Sequence, residues 1–215
     1  MAQEPERRFF RLTPREWREN LESLVWAVAL AMAIRTFVIA PFKIPSGSMI
    51  PTLLVGDRIL VSKFLYRLHP PRRGDIVVFY YPNEWHPLPE RLRTARDPGR
   101  PLGRRLSQLF SAGRPFIKRL VAVGGDRVEL RDGRIYVNGA LLEQPRVFQT
   151  TRYRNDGAYG RSGDVIDVPA ESYFVLGDNS GSSHDSRYWG FVPKRLVIGK
   201  ALCIFWPLPR WRVLR

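Results

Sequence analysis

The sequence predicts a mainly β protein: an antiparallel β-sheet domain behind a single N-terminal transmembrane helix. Three observations lead there. Short runs rich in Val, Ile and aromatic residues recur after residue 57, as in RILVSKF, GDIVVFYYP, SYFVLGD and LVIGKALCIFW, a composition that suits a pleated, half-buried surface. Asp132-Gly133 and Asn138-Gly139 divide DRVELRDGRIYVNGALLEQP into three short strands, because both central positions of a two-residue hairpin turn need φ > 0. One long apolar run, LVWAVALAMAIRTFVIA at residues 24–40, precedes all of these, and neither a second helix of useful length nor an internal repeat follows it.

Residues 1–20 carry Arg7, Arg8, Arg11, Arg15 and Arg18 among several glutamates and form the expected cytoplasmic segment. Residues 21–40 form the expected anchor, since seventeen helical residues rise about 25 Å against a hydrocarbon core of about 30 Å. Arg35, near its outer end, would snorkel to the interface. A cleaved signal peptide would also show a basic start and a short apolar stretch. A buried core helix would show a polar face, which residues 24–34 lack. The arginines before the run outnumber Lys43 and Arg58 close behind it, so the N-terminus should be cytoplasmic and residues 41–215 outside.

Composition bounds what that outer domain does. A formal charge of +15 in 215 residues suits an anionic membrane surface or a nucleic acid. Cys203, the single cysteine, reads as a small core residue in ALCIFW, and cysteine usage says nothing of redox compartment. The three histidines are scattered without HExxH or CxxC spacing, so no metal site is expected. Residues 83–115 are Arg- and Pro-rich with little periodicity. They read as a solvated insertion between two strands, or as a basic surface meeting anionic lipid at about 1 kcal/mol per basic residue. Near the C-terminus, Trp206 and Trp211 suit a membrane interface, and Trp206 equally suits core packing.

Two stretches carry candidate chemistry. In IPSGSMIPTLLVGDRILVSK, residues 44–63, a Pro-framed loop sets Ser46 and Ser48 among apolar side chains directly after the anchor. In PFIKRLVAVGGDRVEL, residues 115–130, a strand would put Phe116, Lys118 and Leu120 on one face. Lys118 is then either solvated beside Arg119, the usual fate of a Lys-Arg pair, or desolvated, with its pKa lowered into the range of a general base. The loop GDNSGSSHDSRYWGFVP, residues 177–193, is rich in hydroxyls, and Asp185 with Arg187 could form a stiffening ion pair. His184-Asp185 also suggests a triad with Ser48, although sequence neighbours usually point apart.

Taken in order, PSGSMIPTL, RRGDIVVF, FIKRLVAVGGD and GDNSGSSHDSRYWGFVP resemble the successive signature boxes of bacterial type I signal peptidases. They lie behind a similar anchor and an RTF…PF approach, and the likeness covers essentially residues 24–202. The resemblance implies a Ser-Lys dyad, with Ser48 as nucleophile and Lys118 as general base. It implies an oxyanion hole of the Ser46 hydroxyl and the Ser48 N–H, and Ser183 as an assistant to the lysine. Asp178, Asp185 and Arg187, with Arg119 as partner, match the polar framework. One departure is GDNS where many members have GDNR; the other is the insertion at 83–115.

On this reading the β domain is catalytic and removes signal peptides from exported preproteins after small-residue, A-x-A-like sites. Phe42, Ile44, Pro45, Met49, Leu53, Phe116 and Ile117 are expected to line the substrate pockets and desolvate Lys118. An extended substrate could add as a strand beside the active-site strands. The expected partners are secretory preproteins and membrane lipid, with no nucleic acid, metal or other cofactor. The expected location is a bacterial cytoplasmic membrane, single-pass, with the catalytic domain on the outer side. An organellar peptidase would call for a Ser-rich, acid-poor transit peptide before the anchor. The alternative from another class is a non-catalytic basic membrane protein binding anionic lipid or nucleic acid, which leaves four ordered boxes unexplained.

Overall fold

The computed structural model describes residues 14–82, 101 and 113–214. The expected segment 1–20 and the expected insertion 83–115 therefore lie largely outside the described residues. Two units separate, residues 1–38 and 39–215.

The first unit holds helix α1 (Pro14–Phe37). Proline at a helix start costs nothing, because its missing N–H would have no partner there. The uncharged part of α1 runs only from Ser23 to Ile34, between Glu22 and Arg35, about 18 Å of rise. Among the described residues, no helix is long and apolar enough to cross a membrane. The expected anchor at 21–40 is corrected in its outer end as well: the helix stops at Phe37, and Ile39 and Ala40 belong to a strand. Leu24, Val25, Trp26, Val28, Leu30 and Met32 are all exposed on α1.

The second unit is mainly antiparallel β, as expected. Its strands are β1 (Ile39–Lys43), β2 (Arg58–Ser62), β3 (Ile76–Tyr80), β4 (Pro115–Val123), β5 (Arg127–Arg131), β6 (Arg134–Val137), β7 (Ala140–Leu141), β8 (Val165–Asp167), β9 (Ser172–Leu176), β10 (Val192–Pro193), β11 (Val197–Trp206) and β12 (Arg212–Val213). Short helices α2 (Leu65–Leu68), α3 (Val147–Thr150) and α4 (Ser186–Trp189) lie between them. An eight-stranded sheet runs β1-β2-β11-β3-β4-β9-β10, with β12 on β11, and a four-stranded sheet runs β7-β6-β5-β8.

Local sequence explains the small sheet. Asp132 and Gly133 take φ of 52° and 71°, and Asn138 and Gly139 take 55° and 80°, so both hairpins turn where the dipeptides predict. The register follows, with Arg131 opposite Arg134 and Val137 opposite Ala140. Alternation then buries Val128, Leu130, Ile135 and Val137, which pack with Val121, Phe174 and Leu176 from β4 and β9. The larger sheet obeys a different rule. IVVFY of β3 is buried at four of its five positions, since it lies between β11 and β4 with its faces covered by two clusters. Each fully buried side chain of this size stabilises the fold by about 1.5–3 kcal/mol.

Sequence reading did not find β1, β8, β10 or β12. The first was absorbed in the apolar run, and VID, VP and RV are too short to show a period. Cys203 is half-buried, not a core residue, because Ala201 and Ile204 take the inward positions of the bulged β11. Trp206 and Trp211 are 49% and 63% exposed, which removes the core-packing reading of Trp206.

Candidate active site

The serine loop links β1 to β2. Ile44 donates its N–H to Asp57 O and Gly56 donates to Ile44 O, so the loop closes on itself. Ile44, Met49 and Leu53 turn inward and are 2%, 0% and 0% exposed, packing with Ile59, Val61, Ile76, Val78 and Ile117, while Phe42 lies half-buried against the same cluster. This inward anchoring raises the short 3₁₀ turn Gly47–Met49, with Ser48 at its centre. Ser46 precedes the turn and is exposed.

Strand β4 brings the partner. Lys118 pairs opposite Val77 of β3 and is 3% exposed, and Ser48 is 6% exposed. Lys118 Nζ donates to Ser48 Oγ at 2.7 Å and to its neighbour's carbonyl, Ile117 O, at 3.2 Å. The Phe116 ring lies on the same side, its centroid 5.6 Å from Nζ. Burial disfavours the ammonium and lowers the Lys118 pKa from 10.5 to about 8. The Asp185 and Asp178 carboxylates pull the other way, but each is already bound by an arginine.

Those arginines form two buried clamps. Arg119 holds Asp178 through two parallel bonds, Nε to Oδ1 at 2.7 Å and Nη2 to Oδ2 at 2.6 Å, and gives Nη1 to Gly74 O at 2.7 Å. Thr52 from the serine loop donates its hydroxyl to Asp178 and accepts from Arg119 Nη2 at 3.3 Å. Arg187 is wholly buried. It binds Asp185 by Nε at 2.8 Å and Nη2 at 3.0 Å, Asp156 at 2.8 Å, and both the hydroxyl and the carbonyl of Ser180. Asp185 also caps α4 and accepts the Gly177 N–H at 3.0 Å. Paired, hydrogen-bonded charges of this kind can be buried where single ones cannot.

The loop 177–185 closes the site from the other side. Asn179 donates its backbone N–H to Ser48 O at 3.0 Å and its Nδ2 to Gly47 O at 3.1 Å. Gly177 is required by close approach: a Cβ there would stand 2.1 Å from Ser183 Oγ and 2.5 Å from Ser48 O. Ser183 is buried, and among the described residues its hydroxyl has no hydrogen-bond partner, Lys118 included. The Asp185 carboxylate is spent on Arg187 and Gly177, so no His184–Asp185 relay to Ser48 exists. His184 is exposed and stacks on Tyr188, ring centroids 5.0 Å apart.

A cleft of about 560 Å³ opens over the pair, walled by Pro45, Ser46, Ser48, Phe116, Ile117, Lys118, Ser182 and His184 among others. Of the seven expected pocket residues, Pro45, Phe116 and Ile117 stand on this wall. Ile44, Met49, Leu53 and Phe42 belong to the core behind it, because the loop needs apolar roots more than the cleft needs extra lining. Among the described residues no cluster could hold a metal ion. Sequence reasoning missed Thr52, Gly177, Asn179, Ser180 and Asp156. Their residue types are ordinary for turns, and nothing local marks which backbone they meet.

Comparison with known proteins places the chain in a family. The family described as signal peptidase, peptidase S26, matches residues 17–206. A probable signal peptidase I-2 of Synechocystis sp. is 39% identical over 194 residues, 90% of this chain and 75% of its own length. Signal peptidase I of Leptolyngbya laminosa is 39% identical over 192 residues, 89% of this chain and 81% of its own. Signal peptidase I of Mycobacterium tuberculosis is 36% identical over 221 residues, covering 92% and 75%. With a family match across most of its length and relatives at this identity, the chain belongs to the signal peptidases of family S26, peptide-bond hydrolases that remove signal peptides.

Proposed function

We propose that this chain is a membrane-bound serine endopeptidase that cleaves signal peptides from exported preproteins after small-residue, A-x-A-like sites, using Ser48 and Lys118. The observation that carries the reading is the 2.7 Å contact between Lys118 Nζ and Ser48 Oγ in a buried setting that favours neutral lysine. A serine hydroxyl is a weak nucleophile until a base takes its proton. Ser48 Oγ attacks the scissile carbonyl carbon as its proton passes to Lys118 Nζ. The Ser48 N–H and the Ser46 hydroxyl stabilise the oxyanion that forms. Lys118 then protonates the departing amine, and the freed base removes a proton from the water that hydrolyses the acyl-enzyme. Pro45, Phe116 and Ile117 make the cleft wall apolar, which suits small apolar side chains beside the scissile bond.

The membrane part of the proposal rests on other residues. The exposed apolar side chains of α1 follow a run of arginines, which supports an N-terminal, single-pass attachment with the N-terminus cytoplasmic. Trp206, Leu208 and Trp211 are exposed near the C-terminus and support contact of the outer domain with lipid. The deciding experiment is cleavage of a preprotein carrying an A-x-A site by the detergent-solubilised full chain, wild type beside Ser48→Ala, Lys118→Ala and His184→Ala. Loss in the first two with retention in the third is expected. Retention in Lys118→Ala with loss in His184→Ala would reverse the assignment. Release of the chain from vesicles by alkaline carbonate would overturn the single-pass attachment.

A further inference from the structure

We propose that Asn179 is a positioning residue that aims the Ser48 N–H at the oxyanion, a role that rests on Ser48 being the nucleophile. The peptide unit between Gly47 and Ser48 is planar and trans. In such a unit the C=O and the N–H point in opposite directions. Whatever fixes Gly47 O therefore fixes the direction of the Ser48 N–H. Gly47 O accepts from Asn179 Nδ2 at 3.1 Å and from Ile50 N at 3.2 Å. The Ile50 bond is local to the turn and moves with it; the Asn179 bond ties the turn to a segment 132 residues away.

The second carbonyl is held as well. Asn179 N donates to Ser48 O at 3.0 Å, so one residue grips the carbonyls on both sides of the nucleophile. Any non-proline residue at 179 could supply the backbone bond. The side-chain bond needs an N–H donor on a short arm, which asparagine has and aspartate of the same shape lacks. Asn179 is itself fixed on both flanks: Asp178 is clamped by Arg119, and Ser182 N donates to Asn179 O at 3.0 Å. A hydrogen bond accepted by Gly47 O also polarises the shared peptide and strengthens its N–H as a donor. The clamp thus acts on oxyanion stabilisation and leaves the proton transfer to Lys118 untouched.

The test uses the full chain with Asn179→Ala and Asn179→Asp. The expected result is a fall in kcat of about 10- to 100-fold, short of or near the loss of a whole oxyanion-hole donor. In Asn179→Ala the pH midpoint of activity should stay where it is in wild type, whereas the new carboxylate of Asn179→Asp favours protonated Lys118 and moves it upward. A peptide aldehyde ending in Ala-x-Ala supplies the second readout. Ser48 Oγ adds to its carbonyl carbon, the carbonyl electron pair moves onto the oxygen, and the serine proton passes to Lys118. Inhibition by the aldehyde should weaken in step with kcat. Affinity for intact substrate, compared between Ser48→Ala and Ser48→Ala/Asn179→Ala, should change by less than about threefold.

A rise in KM at constant kcat, a displaced pH midpoint in Asn179→Ala, or undiminished aldehyde inhibition would each overturn the proposal. So would failure of both variants to fold, which would assign Asn179 to structure alone. Full activity in Ser48→Ala would remove the nucleophile reading itself, whereas wild-type kcat in the Asn179 variants beside an inactive Ser48→Ala would remove only this inference.

Discussion

Strand β4 buries a cation on each of two successive residues, Lys118 toward the serine loop and Arg119 toward Asp178, and the two are handled in opposite ways. Arg119 meets a carboxylate through two parallel bonds. Lys118 meets a hydroxyl, a carbonyl and an aromatic ring, none of which compensates a full charge. The nearby aspartates do not rescue it, because their oxygens already serve Arg119 and Arg187. Burial with a counter-ion suits a structural clamp; burial without one favours the neutral amine that the proposed base requires. The clamps are thus part of the chemistry at one remove, since they withhold from Lys118 the charge that would keep it protonated.

The sharpest way to break this comparison is to replace the two cations in turn by methionine. Lys118→Met should lower proteolysis by at least about 10⁴-fold, as loss of a member of a catalytic unit does, while leaving the fold intact. Arg119→Met should instead cost about 3–5 kcal/mol, because Asp178 is left buried and unpaired, and lower Tm by about 10 °C. Thermal melts and turnover of both variants would settle it; a destabilised Lys118→Met or a stable Arg119→Met would invert the assignment. Next in size is Gly177→Ala. Its new methyl collides with Ser183 and with the Ser48 carbonyl, and a shift of Ser48, the proposed nucleophile, by about 1 Å should reduce kcat on the order of 100-fold.

Two pH experiments sharpen the same contrast. Activity should rise with pH through about 8, where Lys118 loses its proton, and a profile flat from about pH 6 to 10 would contradict a lysine base. Stability carries the matching signature. Lys118 titrates near 8 when folded and near 10.5 when unfolded, so between those values the unfolded state binds more protons and stability climbs with pH. Below pH 8 both states are protonated and the wild type bears the burial cost, about 3 kcal/mol for a gap of this size. Lys118→Met should therefore be more stable than wild type at pH 7 by up to that amount, the margin closing toward pH 10.5. The smallest effect belongs to His184→Ala. His184 stands exposed on the cleft rim, and its removal should change kcat by no more than about twofold.

How much could be read in advance depended on whether the physics was local. The hairpins at 132–133 and 138–139 were legible, because a two-residue turn is chosen by the φ preferences of its own residues. The strands of β2, β3, β9 and β11 were legible through side chains that fit a pleated surface. The outer end of the anchor was overread, since hydropathy summed over residues 24–40 does not reveal that the helix ends at Phe37 and the chain enters a sheet at Ile39. The expected pocket residues divide in a related way. Apolar residues near a nucleophile can line a cleft or root a loop, and Ile44, Met49 and Leu53 root it.

The sequence by itself determined the β class, the two small turns, the placing of a serine loop after an apolar helix, and a lysine beside an arginine on one strand. Each of these follows from neighbours in the chain. Only the tertiary structure decided that Lys118 lies 2.7 Å from a serine 70 residues away, that its aspartate neighbours are spoken for, and that Asn179 holds both carbonyls around Ser48. A pKa is set by what surrounds a group in space, and the direction of a peptide N–H by what grips the opposite carbonyl. Both surroundings are assembled from strands and loops distant in sequence, so no window along the chain contains them.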